Sequence, residues 1–239
     1  MFLLDLESNI EFEMECEEIL AKLKSMANPD NVCGMARFGI NPHNTLGIAI
    51  PALREIAKTV GRDQKLSLDL WESGIHEARL LAAFVGDPVR VTENQMERWA
   101  KDFDSWDVCD QVCSNLFDRT PHAYNKAVEW SQREEEFVKR AGYVLMGCLA
   151  VHDKTADDFR FLPFFPIIKR GSLDERNFVK KAVNWALRQI GKRNDALNGN
   201  AIQCAEDILL EGRKASRWVA RDALRELRKR RASVDKVEQ

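Results

Sequence analysis

The sequence predicts an all-α protein, an α-solenoid of stacked helix pairs forming one curved domain with a concave basic cleft. Three observations predict it. Gly and Pro together number only 19 in 239 residues, and they fall mainly between periodic stretches. Almost no segment alternates apolar and polar residues as a half-buried strand does. Apolar residues instead recur at three- and four-residue spacing, and the second helix of successive pairs carries a related pattern.

Composition sets the outer bounds. With 45% hydrophobic and 31% charged residues, the chain is too apolar to stay disordered and long enough for a sizeable core. No apolar run approaches the roughly 20 residues of a membrane span, and the start, MFLLDLESNIEFEMECEE, lacks the positive charge of a signal peptide. A cytoplasmic protein without a membrane partner is expected. The six cysteines (Cys16, Cys33, Cys109, Cys113, Cys148 and Cys204) lie in apolar surroundings with no Cys-x-x-Cys, so buried free thiols are expected. Cys109 and Cys113 share a helical face, but no further ligands follow at zinc spacing, so no metal is expected. Neither G-x-x-x-x-G-K-[ST] nor G-x-G-x-x-G occurs, which leaves no support for a nucleotide cofactor.

The helical period runs through 12–27, 51–60, 66–73, 76–85, 93–101, 105–117, 122–131, 134–151, 157–168, 176–191, 199–211 and 216–230. Asn28-Pro29-Asp30, Asp87-Pro88 and Gly171-Ser172 read as turns between these stretches. The related segments are HEARLLAAFV, SWDVCDQVCSNLF, EFVKRAGYVLMGCLA, RNFVKKAVNWALRQIG and SRWVARDALRELR. Aligning Arg79, Asp110, Arg140, Lys181 and Arg221 gives intervals of 31, 30, 41 and 40 residues, near the ~40–47 of HEAT or armadillo helix pairs. No such pair buries its apolar face alone, so neighbours must stack into one core. The expected organisation is an acidic segment over 1–28, a repeat domain over 29–231 and a polar tail over 232–239.

A net charge of −2 conceals a gradient. Residues 176–231 hold 15 Lys/Arg against 6 Asp/Glu, whereas the first 18 residues carry seven acids and no base. Such asymmetry points to a polyanionic partner, although solvated helix faces would look the same in sequence.

Position on the helix selects candidates from this charge. In 176–191, Val179, Ala182, Val183, Ala186 and Ile190 form the apolar arc, and Trp185 lies about 115° from its centre among Lys181, Arg188 and Lys192. An indole in a basic stripe suits a phosphate backbone joined to planar or cationic groups. It also suits a Trp packed on a neighbouring helix beneath snorkelling cations. In 105–117, Asp110 borders the apolar arc beside Trp106, four residues earlier. A poorly solvated carboxylate there needs a partner, such as an Arg or a helix end, or a function. Asp104 or Ser105 is expected to cap that helix and Asp107 to occupy its first turn. In 134–151, Arg140 points about 110° from the arc centre, toward the expected cleft or toward an ion pair with Glu136.

SWDVCD, EEFVKRAG, RNFVKKAVNWALRQIGKRN and RWVARDALREL resemble the AlkD-type DNA alkylation repair family, and the resemblance extends from about Met35 to Leu227. It implies HEAT-like repeats and a monofunctional glycosylase that hydrolyses the N-glycosidic bond of cationic 3-methyl- and 7-methyl-purines in duplex DNA. It further implies no base flipping; no cofactor is expected, and a wrapped DNA ligand points to a monomer. Asp110 then resembles the family's catalytic aspartate, and Trp106 and Trp185 the two tryptophans that embrace the deoxyribose. Arg140 matches the active-site arginine, and Lys181, Arg188, Lys192, Arg193 and Arg221 are expected on the DNA-binding face. The family's N-terminal cleft Tyr has no Tyr counterpart in the stretch from Cys33 to Phe38.

Two rival readings use the same residues. A non-catalytic helical-repeat module would bind DNA or protein without cleaving it. A metal phosphohydrolase would use His152-Asp153 together with His43, His76 or His122, but the sequence supplies no convergent ligand set.

Overall fold

The computed structural model describes residues 16–234. Most of the acidic stretch expected over 1–28 and the end of the polar tail therefore lie outside the described residues. Two compact units divide the chain, and each is described by itself. The first runs to Gln95 and includes Asp104–Leu116; the second comprises Met96–Phe103 and the chain from Phe117 onward.

The first unit holds α1 (16–25), α2 (Pro29–Arg37), α3 (Ile50–Val60), α4 (Gln64–Glu72) and α5 (His76–Val85). After α6 (Glu93–Lys101), whose larger part belongs to the second unit, α7 (Trp106–Asn115) returns to the first. Helix α5 is central, packed on α3, α4 and α7. Leu80, Leu81 and Val85 on α5, and Leu53, Leu66, Leu70, Val108 and Val112 on the helices packed around it, are all fully buried or nearly so.

Helix α2 departs from the sequence reading, which took Asn28-Pro29-Asp30 as a turn. The Asn28 side chain accepts from the Asn31 amide as an N-cap, and Pro29 occupies the first helical turn, where its missing N–H costs nothing. The strap that follows is tied to α5 by Glu77. This fully buried carboxylate accepts from the amides of Leu46 (2.7 Å), Gly47 (2.7 Å) and Ile48 (3.2 Å), so its desolvation is met by three donors. Gly47 has φ +79°, and a Cβ there would lie 2.2 Å from the Asn28 carbonyl oxygen, which restricts the position to glycine.

In the second unit a 3-10 turn (Phe117–Arg119) leads to α8 (Ala123–Trp130) and α9 (Glu136–His152). A second 3-10 turn (Asp158–Arg160) precedes α10 (Phe164–Gly171), α11 (Asn177–Gly191), α12 (Asp195–Leu210) and α13 (Lys214–Val234). The single helix expected over 157–168 is thus broken and resumes after Pro163, whose ring cannot continue a preceding helix. Helix α12 starts at Asp195, earlier than expected, because Asn194 caps it by accepting from the Leu197 amide.

Helix α11 packs between α9 and α13, with α10 and α12 behind, and α8 backs α9. The repeat-aligned residues Arg79, Asp110, Arg140, Lys181 and Arg221 fall on α5, α7, α9, α11 and α13, every second helix. That alternation matches the expected helix pairs. The described residues contain no strand, and no described helix is long and apolar enough to cross a membrane. All six cysteines are free; five are buried, but Cys33 on α2 is exposed, correcting the expectation for that thiol.

Candidate functional site

Helix α7 presents the first group of candidates. Cys109, Val112 and Cys113 are fully buried, while Trp106 and Asp110, one turn apart, are each partly exposed along the helix edge. The indole Nε1 of Trp106 donates to the Phe38 carbonyl at 3.0 Å, fixing the start of α7 to the end of α2. The Phe38 side chain is 75% exposed beside this bond. Arg54 on α3 donates to Asn115 Oδ1 at 3.1 Å and lies over the Phe84 ring.

The start of α7 is secured differently from the sequence expectation. Ser105 is the N-cap residue but makes no side-chain capping bond, and Asp104 accepts instead from Asn41 Nδ2 at 2.8 Å. Asp107 pairs with His76 Nε2 at 2.9 Å, with the His76 side chain 3% exposed. Burial alone would favour neutral His76. The hydrogen bond and charge of Asp107, aided by Glu77 and Asp104, outweigh it and raise the imidazole pKa. Around this edge sequence reasoning missed Phe38 and Arg54, and it weighed His76 as a metal ligand, without its tie to Asp107. Their relation to α7 spans 31 to 68 positions, which no local period reveals.

The second unit holds the remaining candidates. Trp185 on α11 is half-buried, and its six-membered ring covers Gly147 of α9. Lys181 and Arg221 are exposed.

Arg140 corrects its expected placement. It is buried at 7% exposure, and Nη1 donates to the Phe178 carbonyl at 2.6 Å. The physical reason is that α9 is covered by α8 on one side and α11 on another, so a residue 110° from its apolar arc meets a neighbouring helix. Arg193 is also redirected. It donates to the carbonyls of Ala150 (3.2 Å) and Ala156 (2.6 Å) and stacks 4.6 Å over Phe161. Its guanidinium thereby satisfies carbonyls at the end of α9 and in the loop beyond.

Arg188 and Lys192 face α13 and meet acids there. Arg188 pairs with Glu226 and lies 3.8 Å from Asp222, and Lys192 Nζ is 2.9 Å from Glu226. Burial pushes the Glu226 carboxyl up, but Lys192 and Arg188 more than reverse this and hold it below its ordinary value.

At the end of α9, His152 Nδ1 pairs with Asp118, whose side chain is fully buried, and Asp153 accepts from the Tyr124 hydroxyl at 3.0 Å. Among the described residues no cluster of His, Cys, Asp or Glu could hold a metal ion. The His-Asp pair proposed for a phosphohydrolase is therefore divided between two separate hydrogen-bond networks.

Helix pairs repeating along an all-helical chain define the class of HEAT-like repeat proteins. The chain belongs to the DNA alkylation repair enzyme family, whose pattern matches residues 19–227. Among solved structures it is similar to a protein described as "a new family of proteins related to the HEAT-like repeat DNA glycosylases with affinity for branched DNA structures". The two share 19% identity over 80% of this chain and 81% of that one, with a TM-score of 0.71. No curated protein matches.

Proposed function

We propose that the protein is a monomeric glycosylase that releases cationic N-alkylated purines, 3-methyl and 7-methyl adducts, from duplex DNA. The observation that carries this reading is the pairing of a partly exposed Asp110 with the Trp106 indole on α7, in a chain of the alkylation repair family. The alkylated base already bears positive charge, so the N-glycosidic bond breaks with the electron pair leaving on a base that becomes neutral. Asp110 stabilises the oxocarbenium sugar and orients water. Water adds to the sugar carbon and gives up a proton, leaving an abasic site and a free base. The Trp106 indole, one turn from Asp110, adds cation–π stabilisation to the same charge, and the family resemblance gives the Trp185 indole a like part. Lys181 and Arg221, exposed on α11 and α13, supply phosphate contacts. No cofactor and no base flipping are required.

A second reading, DNA binding without cleavage, is favoured by the solved relative described for its affinity for branched DNA. One experiment separates them. Methylated duplex DNA is incubated with the wild type and with Asp110→Asn, and free methylpurines are quantified. Release by the wild type and its loss in the variant supports the glycosylase. Binding without release by the wild type supports the second reading, and equal release by both would remove Asp110 from the chemistry.

A further inference from the structure

The sequence places its cationic stripe on α11, but the structure moves the available positive charge to α13. Asp222 and Glu226 turn toward α11 and take up Arg188 and Lys192. Lys214, Arg217, Arg221 and Arg225 lie on a row displaced from these acids by one residue, or about 100° around the helix. All four are exposed. Arg225 pairs with Asp222, whereas Lys214, Arg217 and Arg221 make no ion pair among the described residues.

Between the two rows stands Trp218, 41% exposed. Lys180 Nζ lies 5.7 Å from its ring centroid, which holds one cation near the indole. Lys214, Arg217, Trp218, Arg221, Asp222 and Arg225 together line a shallow groove of about 340 Å³. The groove runs along one helix face for roughly 16 Å. Four cations against one acid select a polyanion. The solvent-facing indole selects further: a duplex keeps its base faces stacked internally, whereas an unpaired strand offers a free face at every nucleotide.

We infer that the α13 groove binds an unpaired single strand of DNA, with a base stacked on Trp218 and its phosphates held by Lys214 and Arg217, on the side of the groove beyond the duplex-facing Arg221. The inference rests on the DNA-repair reading in taking DNA as the ligand, but not on base release. It gives the protein a second point of attachment that blunt duplex does not occupy, specific for junctions, gaps and frayed ends.

The test compares binding of a blunt duplex and of the same duplex bearing a single-stranded tail, at one fixed salt concentration. Wild type, Trp218→Ala and Trp218→Phe are measured. The tailed ligand is expected to bind more tightly to the wild type. Trp218→Ala is expected to weaken tailed binding roughly tenfold, with Trp218→Phe recovering part of the loss. Blunt-duplex affinity should be unchanged by either substitution. Equal affinity of the wild type for both ligands would overturn the inference, as would equal loss on both ligands in Trp218→Ala. A dimer in solution that Trp218→Ala converts to monomer would also overturn it, because a second copy would then cover the groove. Methylpurine release is followed in parallel on the blunt substrate. A wild type that shows the tail preference but releases no base would support this inference while refuting the glycosylase.

Discussion

Trp185 rests directly on Gly147: a Cβ added to that glycine would come within 2.2 Å of the indole's Cζ3 and 2.4 Å of its Cε3. The contact joins the middle of α9 to the middle of α11 and leaves the ring half-buried. Glycine here is a matter of space, since the residue lies inside a regular helix. Gly147→Ala forces either the ring or the helix pair to move. It should destabilise the protein by about 1–3 kcal/mol, the usual cost of overpacking, measured as a lowered denaturant midpoint. Methylpurine release should also fall at temperatures where the variant is fully folded, because the indole no longer occupies its place. Unchanged release would mean that Trp185 does not contribute to the reaction.

Asp110→Asn tests the electrostatic role separately from packing. The two side chains are nearly isosteric, so stability should change little while base release slows about 10²–10³-fold, the range for losing one oriented electrostatic stabiliser. Duplex affinity should hold or improve, because a negative charge near phosphate has been removed. Parallel losses of affinity and rate would point to a structural role.

Glu226 restrains two of the cations nearest Trp185 in sequence, Arg188 and Lys192. Glu226→Gln should free them for phosphate, tightening DNA binding. The slope of log affinity against log salt should steepen by about one to two units, given ~0.9 per added phosphate contact. An unchanged slope would show that the two side chains cannot reach DNA even when released.

The His76–Asp107 pair gives stability a pH dependence of defined sign. Asp107 raises the folded pKa of His76 above its unfolded value near 6.5, so the folded state binds the extra proton. The stabilisation is fully present below about pH 6.5 and disappears as pH rises through the folded value. The difference in Tm between wild type and His76→Gln should therefore be largest at pH 5.5–6 and shrink in alkaline buffer. A difference that grows with pH would contradict the pairing. Because Asp107 lies in the first turn of α7, the same substitution should loosen the hold on Trp106 and Asp110.

The placement of several candidate residues was legible one helix at a time. Trp106 and Asp110 at four-residue spacing had to share a face, and the apolar arc that Trp106 forms with Cys109, Val112 and Cys113 put Asp110 on its border. Trp185 was separated from the apolar arc of α11 by angle alone. The same arithmetic misplaced Arg140, because an angle from the core of one helix says nothing about a second helix covering the other side. The expectation that Arg193 lies on the DNA-binding face met a different obstacle, since its donors are spent on carbonyls 37 and 43 positions away. Helix α2 was hidden because Asn-Pro-Asp begins helices as readily as it forms turns. Gly47, which lies close against the Asn28 carbonyl at that start, is well beyond it in sequence.

Sequence alone determined the helical class, the alternation of helix pairs and the positions of the aspartate and indoles on their own helices, since these follow from periods of a few residues and a repeat of thirty to forty. Only the tertiary structure decided which charges remain available. Arg188 and Lys192 lost theirs to Glu226, and Lys214, Arg217 and Arg221 kept theirs. The physical reason is that charge pairing acts over a few ångströms in space between helices that lie more than thirty residues apart along the chain.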